Sequence, residues 1–239
     1  MRRFYAPPES FTDGRVRLSE DETRHLRDVL RLPVGDEINV FDGEGREFTC
    51  RIEQIEKRVS DVSIIGEVSP TAPESTLDLT VAAAVLPGEK FDLVVQKMVE
   101  LGANRLIPLS TIRSEVKIKD AGKRLTRWRR IVMEATKQCG RAALMTVEEP
   151  VSLSDIFLEL SGSEMLFFSE RDGNGLDITT PAKRLAIVFG PKGGWDDAEL
   201  ELARASGASI VTLGGRVLRA ETAAIGITAI LQHRLGDMS

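Results

Sequence analysis

"VFGPKGGWDDAEL" at 188–200 carries the chain from an apolar run, across Gly190, Pro191, Gly193 and Gly194, into acids able to start a helix. The glycines permit close backbone approach and positive φ, Pro191 stiffens the turn, and Asp196 with Glu199 has capping-box spacing. A strand feeding a glycine turn and then a helix is the repeating unit of an α/β sheet, whose ligands bind beyond the carboxyl ends of the strands. The device recurs at 209–222, "SIVTLGGRVLRAET". Neither loop has the GxGxxG spacing of a dinucleotide fold, and no GxxxxGK[ST] phosphate loop occurs in the chain. For either loop alone, a tight turn that holds nothing is the alternative reading.

Strands are predicted at "LDLTVAAAVL" (77–86), "RLIPLS" (105–110), "EMLFFS" (164–169), "RLAIVF" (184–189) and "SIVTL" (209–213). Helices alternate with them. "EKFDLVVQKMVELG" (89–102) sets Phe91, Val94, Val95, Met98 and Leu101 on one stripe and ends on Gly102, a C-cap. "DAGKRLTRWRRIVMEATKQCGR" (120–141) turns Leu125, Trp128, Val132 and Ala135 inward. A final helix at about 220–235 is apolar over much of its circumference, so it is buried in its own core or against a partner subunit. The alternation predicts a mostly parallel sheet covered on both faces.

Upstream, the prolines of "EVSPTAPEST" (67–76) interrupt any periodic pattern, which places a domain at 1–70 and another at 77–239. In the first, "SEDETRHLRDVL" (19–30) reads as a helix with Ser19 as N-cap and Glu22 as its capping-box partner, stopping before Pro33. "EINVFDG" (37–43), "REFTCRIEQIE" (46–56) and "VSDVSIIGEV" (59–68), separated by turns such as "DGEG", predict a small β-rich barrel or sheet.

An apolar fraction of 42% over 239 residues is that of a globular protein with a sizeable core. The most apolar run, "LTVAAAV" (79–85), is too short to cross a bilayer, and "MRRFYAPPES" at the start has no apolar signal region; a cytoplasmic protein without membrane contact is expected. Cys50 and Cys139 make no disulfide framework, and His25 and His233 add too few soft ligands for zinc; reduced thiols and no metal are expected. A net charge of −5 gives no general grip on nucleic acid. Locally, Arg2, Arg3, Arg15, Arg17, Arg24, Arg27 and Arg31, and a cluster from Lys117 to Arg141, leave two basic surfaces. Within the second, Arg127, Arg130, Lys137 and Arg141 fall at roughly helical spacing, for which a solvated helix face is the other reading.

"FGPKGGWDDAEL" followed by "LGGRVLRAETAAIGITAILQHRLGD" (213–237) closely resembles the C-terminal signature of the RsmE family, bacterial 16S ribosomal RNA uracil-N3 methyltransferases of the SPOUT superfamily. "FYAPP" (4–8), "HLRDVLRLPVGDEINVFDG" (25–43), "GEKFDLVVQKMVELG" (88–102) and "ATKQCGR" (135–141) fall in the family's order, so the resemblance covers essentially the whole chain. It implies a small N-terminal PUA-like RNA-binding β-barrel and a C-terminal SPOUT α/β-knot domain with a trefoil knot. It also implies S-adenosyl-L-methionine bound bent within the knot, a homodimer, and 16S ribosomal RNA of the small subunit as partner. Carried over by position, the cofactor pocket takes Phe168, Gly190, Gly194, Leu213, Gly214, Val217 and Leu218, with apolar side chains around adenine and main-chain groups on its edge. Where the family usually reads Glu, this chain has Lys192.

Methylation at N3 requires the ring proton to leave. The resemblance sets "RAET" beside the sulfonium, with Arg219 stabilising charge and Glu221 orienting the loop or accepting the proton; a structural Arg–Glu pair is the other reading. His25, Arg27, Arg31, Arg113 and Arg141 become RNA contacts. The alternatives are a SPOUT methyltransferase of another base or ribose, or a non-catalytic RNA-binding assembly factor, which Lys192 and the acidic net charge would suit.

Overall fold

The computed structural model describes residues 2–116, 121–160, 162–178 and 183–238; Lys117 and Asp120, named above, lie outside them. The chain divides into two compact units, residues 1–74 with 133–144, and residues 75–132 with 145–239.

The first unit opens with β1 (Arg3–Tyr5), β2 (Phe11–Thr12) and β3 (Arg15–Leu18), followed by α1 (Glu20–Arg24), β4 (Glu37–Phe41), β5 (Glu47–Ile55) and β6 (Ser60–Val68). They form a six-stranded sheet in the order β1-β4-β5-β6-β3-β2, with β1 parallel to β4 and the other pairings antiparallel. Alternation along β3 and β4 sends Val16, Leu18, Ile38 and Val40 into a core shared with Phe4, Leu26, Cys50, Ile52 and Val62.

The helix expected over 19–30 is shorter and changes kind. Ser19 caps it, accepting from Glu22 N–H at 3.4 Å, but after Arg24 the backbone widens into a π-turn over His25–Val29, closed by Leu30 N–H on the His25 carbonyl at 2.9 Å. Glu22 is also not a capping-box partner. Its carboxylate is buried and pairs with the Lys137 ammonium, which outweighs a reach back to the Ser19 amide. Lys137 belongs to the segment 133–144, which a division of the chain at 70–77 assigns to the later domain. Arg3 holds that segment: its guanidinium grips Glu47 through two bonds of 2.8 and 3.0 Å and donates to the carbonyls of Thr136, Lys137 and Arg141 at 3.1, 3.1 and 2.7 Å.

The second unit runs through β7 (Asp78–Ala84), α2 (Lys90–Glu100), β8 (Arg105–Ser110), α3 (Ala121–Cys139), β9 (Thr146–Val147) and β10 (Val151–Ser152). It continues with α4 (Leu153–Glu159), β11 (Glu164–Phe168), β12 (Arg184–Phe189), α5 (Asp197–Ala205), β13 (Ser209–Val211) and α6 (Ala220–Leu235). The division between units falls inside α3, after Val132. The sheet is parallel throughout, in the order β10-β8-β7-β12-β11-β13 with β9 beside β8. Strands buried on both faces explain the unbroken apolar runs of β7 and β12. In chain order the strands build outward from β7 on one side, then return to its other side, so the carboxyl ends of β11, β12 and β13 meet at one end of the sheet. That is where an open parallel sheet leaves room for a ligand.

α6 packs on α2. Gln232, fully buried, donates to the Gly102 carbonyl at 3.1 Å and accepts from Ser75 Oγ at 2.7 Å; Gly102 has φ +75°, as a C-cap glycine should. The last helix thus satisfies the end of the second with a side-chain amide. Its opposite face carries Gly226 and the 45% exposed Ile230.

Candidate functional site

The two glycine loops of the sequence face one cavity of about 680 Å³ in the second unit. Both follow strands. Gly190 to Trp195 lead from β12 into α5, and Leu213 to Arg219 lead from β13 into α6; a third wall comes from Phe168, Ser169 and Glu170 at the end of β11. Of the residues assigned to a cofactor, Phe168, Gly190, Gly194, Leu213, Val217 and Leu218 line the cavity, as do Arg219 and Glu221. Gly214 lies exposed in the same loop, next to Leu213.

The loop after β12 is held by a tryptophan of its own, which no periodicity in the sequence marks. Trp195 is fully buried against Phe167, ring centroids 4.3 Å apart, and its indole N–H donates to the Phe168 carbonyl at 2.8 Å. That bond ties the end of β11 to the loop after β12. The indole lies so close under Gly190 that a Cβ there would fall 2.8 Å from the ring, so only glycine fits. Gly194 has φ +71°, and a Cβ on it would overlap the Glu170 carboxylate. α5 then starts on the expected capping box: Asp196 accepts from Ala198 N–H at 3.1 Å, and Glu199 accepts from Asp196 N–H at 2.9 Å.

Apolar walls and charged rim divide the cavity. Phe168 stacks on Phe189 with centroids 5.0 Å apart and planes 11° apart. Opposite, Val217 and Leu218 present 80% and 41% of their surface, and exposed apolar side chains grouped at a cavity mark a binding surface. The volume lies within the range of small-molecule sites, and apolar walls with a few convergent polar groups are their usual make-up.

Lys90, at the start of α2, joins the rim and pairs with Glu221 at 3.3 Å. Burial pushes the Glu221 carboxyl up, but hydrogen bonds from its own backbone N–H and from Lys90, with the positive charges of Lys90 and Arg219, outweigh it and hold the group below the usual carboxylate value. Arg219 is the N-cap residue of α6, where the helix dipole is positive. Arg216 lies exposed on the same loop. Lys192 also lines the cavity and pairs with Glu115 at 3.2 Å, both side chains being exposed.

The remaining arginines separate. Arg113 lies against the glycine loop, its side chain beneath Gly193, and pairs with Asp196 at 3.1 Å. In the first unit Arg141 is buried and clamped on Glu74 at 2.6 Å, while Arg27 binds Asp28 and the carbonyls of Glu56 and Lys57. His25 and Arg31 are exposed, His25 edge-on to Phe4 and Arg31 at φ +52° beyond the π-turn. On α3, Arg127 is paired with Asp92 and Lys137 with Glu22.

Among the described residues no helix is long and apolar enough to cross a membrane. Residues 73–232 match the model of an RNA methyltransferase domain, and residues 18–65 that of an RNA methyltransferase PUA domain. Ribosomal RNA small subunit methyltransferase E of Aquifex aeolicus is 32% identical over 90% of this chain and 93% of its own length. The protein of that name from Rickettsia conorii is 32% identical over 98% and 95%. Among solved structures, ribosomal RNA small subunit methyltransferase E from Neisseria gonorrhoeae bound to S-adenosyl methionine superposes with a TM-score of 0.91. It is 33% identical and fully covered on both sides. A putative methyltransferase from Legionella pneumophila in complex with the same cofactor gives 0.89 at 33% identity over 99% and 98%. A PUA-like unit and an α/β methyltransferase unit, joined in this order, place the chain in the ribosomal RNA small subunit methyltransferase E family.

Proposed function

We propose that this protein transfers a methyl group from S-adenosyl-L-methionine to N3 of a uridine in 16S ribosomal RNA of the small subunit. The observation that carries the reading is the single cavity on which both glycine loops and the end of β11 converge, with apolar walls and an arginine–glutamate–lysine rim. The residues fit the cofactor. Phe168, Leu213 and Leu218 suit the faces of adenine, and the bare backbone at Gly190 and Gly194 offers main-chain groups to polar edges. When bound, S-adenosyl-L-methionine supplies an electrophilic methyl on sulfur.

The N3 proton passes to solvent water, and the chain's own residues handle the charge that appears on the ring as it leaves. Arg219 stabilises negative charge on the uracil oxygens, helped by the positive end of α6. Glu221, already ionised and held below its usual range by Lys90 and Arg219, is a poor proton acceptor; its part is to fix Lys90 and the loop before α6. His25 and Arg31, exposed in the first unit, and Arg113, beside the glycine loop, are the RNA contacts in this reading. A knot threaded by the chain end, a homodimer formed through the open face of α6, and action in the cytoplasm complete it. Incubation with labelled cofactor and either naked 16S RNA or assembled small subunits tests it. Label in one of them is the expected result; cofactor binding without transfer to either would favour a non-catalytic assembly factor.

A further inference from the structure

Two carboxylates line the cavity, and one of them, Glu221, is taken up by Lys90 and its own amide. Glu170 differs. It stands two residues beyond β11, lines the cavity, and lies over Gly194, where the missing Cβ makes room for its carboxylate. Among the described residues the cation that pairs with it is Arg171, at 3.6 Å, and that guanidinium also donates to the Trp195 carbonyl at 2.5 Å and pairs with Asp197 at 2.9 Å. The backbone therefore places a solvent-accessible carboxylate with unused acceptor capacity on the β11 side of the cavity, beside the glycine loop.

Two adjacent acceptor oxygens match two adjacent hydroxyls. A carboxylate at the edge of a nucleoside site is a natural partner for a ribose diol, as in the acidic residue that binds ribose in nucleotide-binding sheets. With adenine against Phe168 and the loop at 213–218, a sugar directed towards the ends of β11 and β12 would meet Glu170. Resting on the S-adenosyl-L-methionine reading of this pocket, we propose that Glu170 is the ribose-recognising residue, accepting from the 2′- and 3′-hydroxyls of the cofactor and so discriminating against deoxy analogues.

Titration calorimetry tests this with S-adenosylhomocysteine and its 2′-deoxy and 3′-deoxy analogues, on the wild-type protein and on Glu170→Gln and Glu170→Ala. A hydrogen bond to a charged group corresponds to roughly a ten- to hundred-fold change in affinity. The wild type is expected to bind each deoxy analogue at least about ten-fold more weakly than the parent. Both variants should bind the parent more weakly and lose most of that discrimination, with unchanged melting temperature. Equal binding of parent and deoxy compounds by the wild type, or discrimination kept by both variants, overturns the assignment of Glu170 while leaving the pocket in place. No binding of S-adenosylhomocysteine by the wild type overturns the pocket reading itself.

Discussion

At the residue scale, the site depends on atoms that are absent. Gly190→Ala drives a methyl group into the Trp195 indole, and Gly194→Ala combines strain at φ +71° with displacement of Glu170. Each is expected to abolish measurable cofactor binding by calorimetry. Retained wild-type affinity in both would mean that the loops do not form the cofactor wall. Lys192 is different in kind. Its exposed pair with Glu115 contributes at most about 1 kcal/mol, and it leaves the glycine frame intact. Lys192→Ala should change cofactor affinity less than about five-fold; a larger loss would show that the lysine itself holds the ligand.

Glu221 gives a pH prediction. A carboxyl held below its ordinary value stays ionised at neutral pH, and the interaction with Lys90 is present above that ordinary value and lost only as pH falls through the depressed one. The pH–rate profile between 6 and 9 should therefore have no limb from Glu221, and Glu221→Gln should keep the profile's shape while lowering turnover. Loss of a limb in that variant, with a fall of about 10²–10⁴, would instead assign Glu221 as the base. Burial pushes the Cys50 thiol up to about 12, so a thiol reagent at pH 8 should label Cys139 well before Cys50 in the folded protein. Mapping of the labelled peptide decides this.

At the scale of elements, the sequence was most legible where burial dictates pattern. β7, β8, β11, β12 and β13 lie within the apolar runs that predicted them, and α2 buries Phe91, Val94, Val95 and Met98 as its stripe requires. β2, β9 and β10, of two residues each, are too short to leave a period. The π-turn after Arg24 and the role of Glu22 were hidden because both follow from tertiary partners, here Lys137. The segment 133–144 was hidden for the same reason: Arg3, far away in sequence, fixes its carbonyls. Arg3→Ala would leave Glu47 buried without its partner, a loss of about 3–5 kcal/mol that chemical denaturation should register. A change below 1 kcal/mol would show that this anchor is dispensable.

At the scale of the whole molecule, the two glycine loops are legible in the sequence as a ligand site, and their joint signature as that of a methyltransferase. What the sequence withheld were the groups that other elements bring to these loops: Lys90 from the start of α2 and Glu170 from beyond the end of β11. Their own neighbourhoods do not point to the cavity; the strand order brings them to it. The central claim is methylation of a small-subunit uridine at N3, and mass analysis of nucleosides tests it most directly. The 16S RNA would come from cells lacking the gene, and from the same cells carrying the wild-type or the Gly190→Ala chain. The account requires N3-methyluridine to be absent without the gene, restored by the wild type, and not restored by the glycine variant. An unchanged N3-methyluridine content in the cells lacking the gene, or loss of a methyl group from another base or a ribose instead, would contradict it.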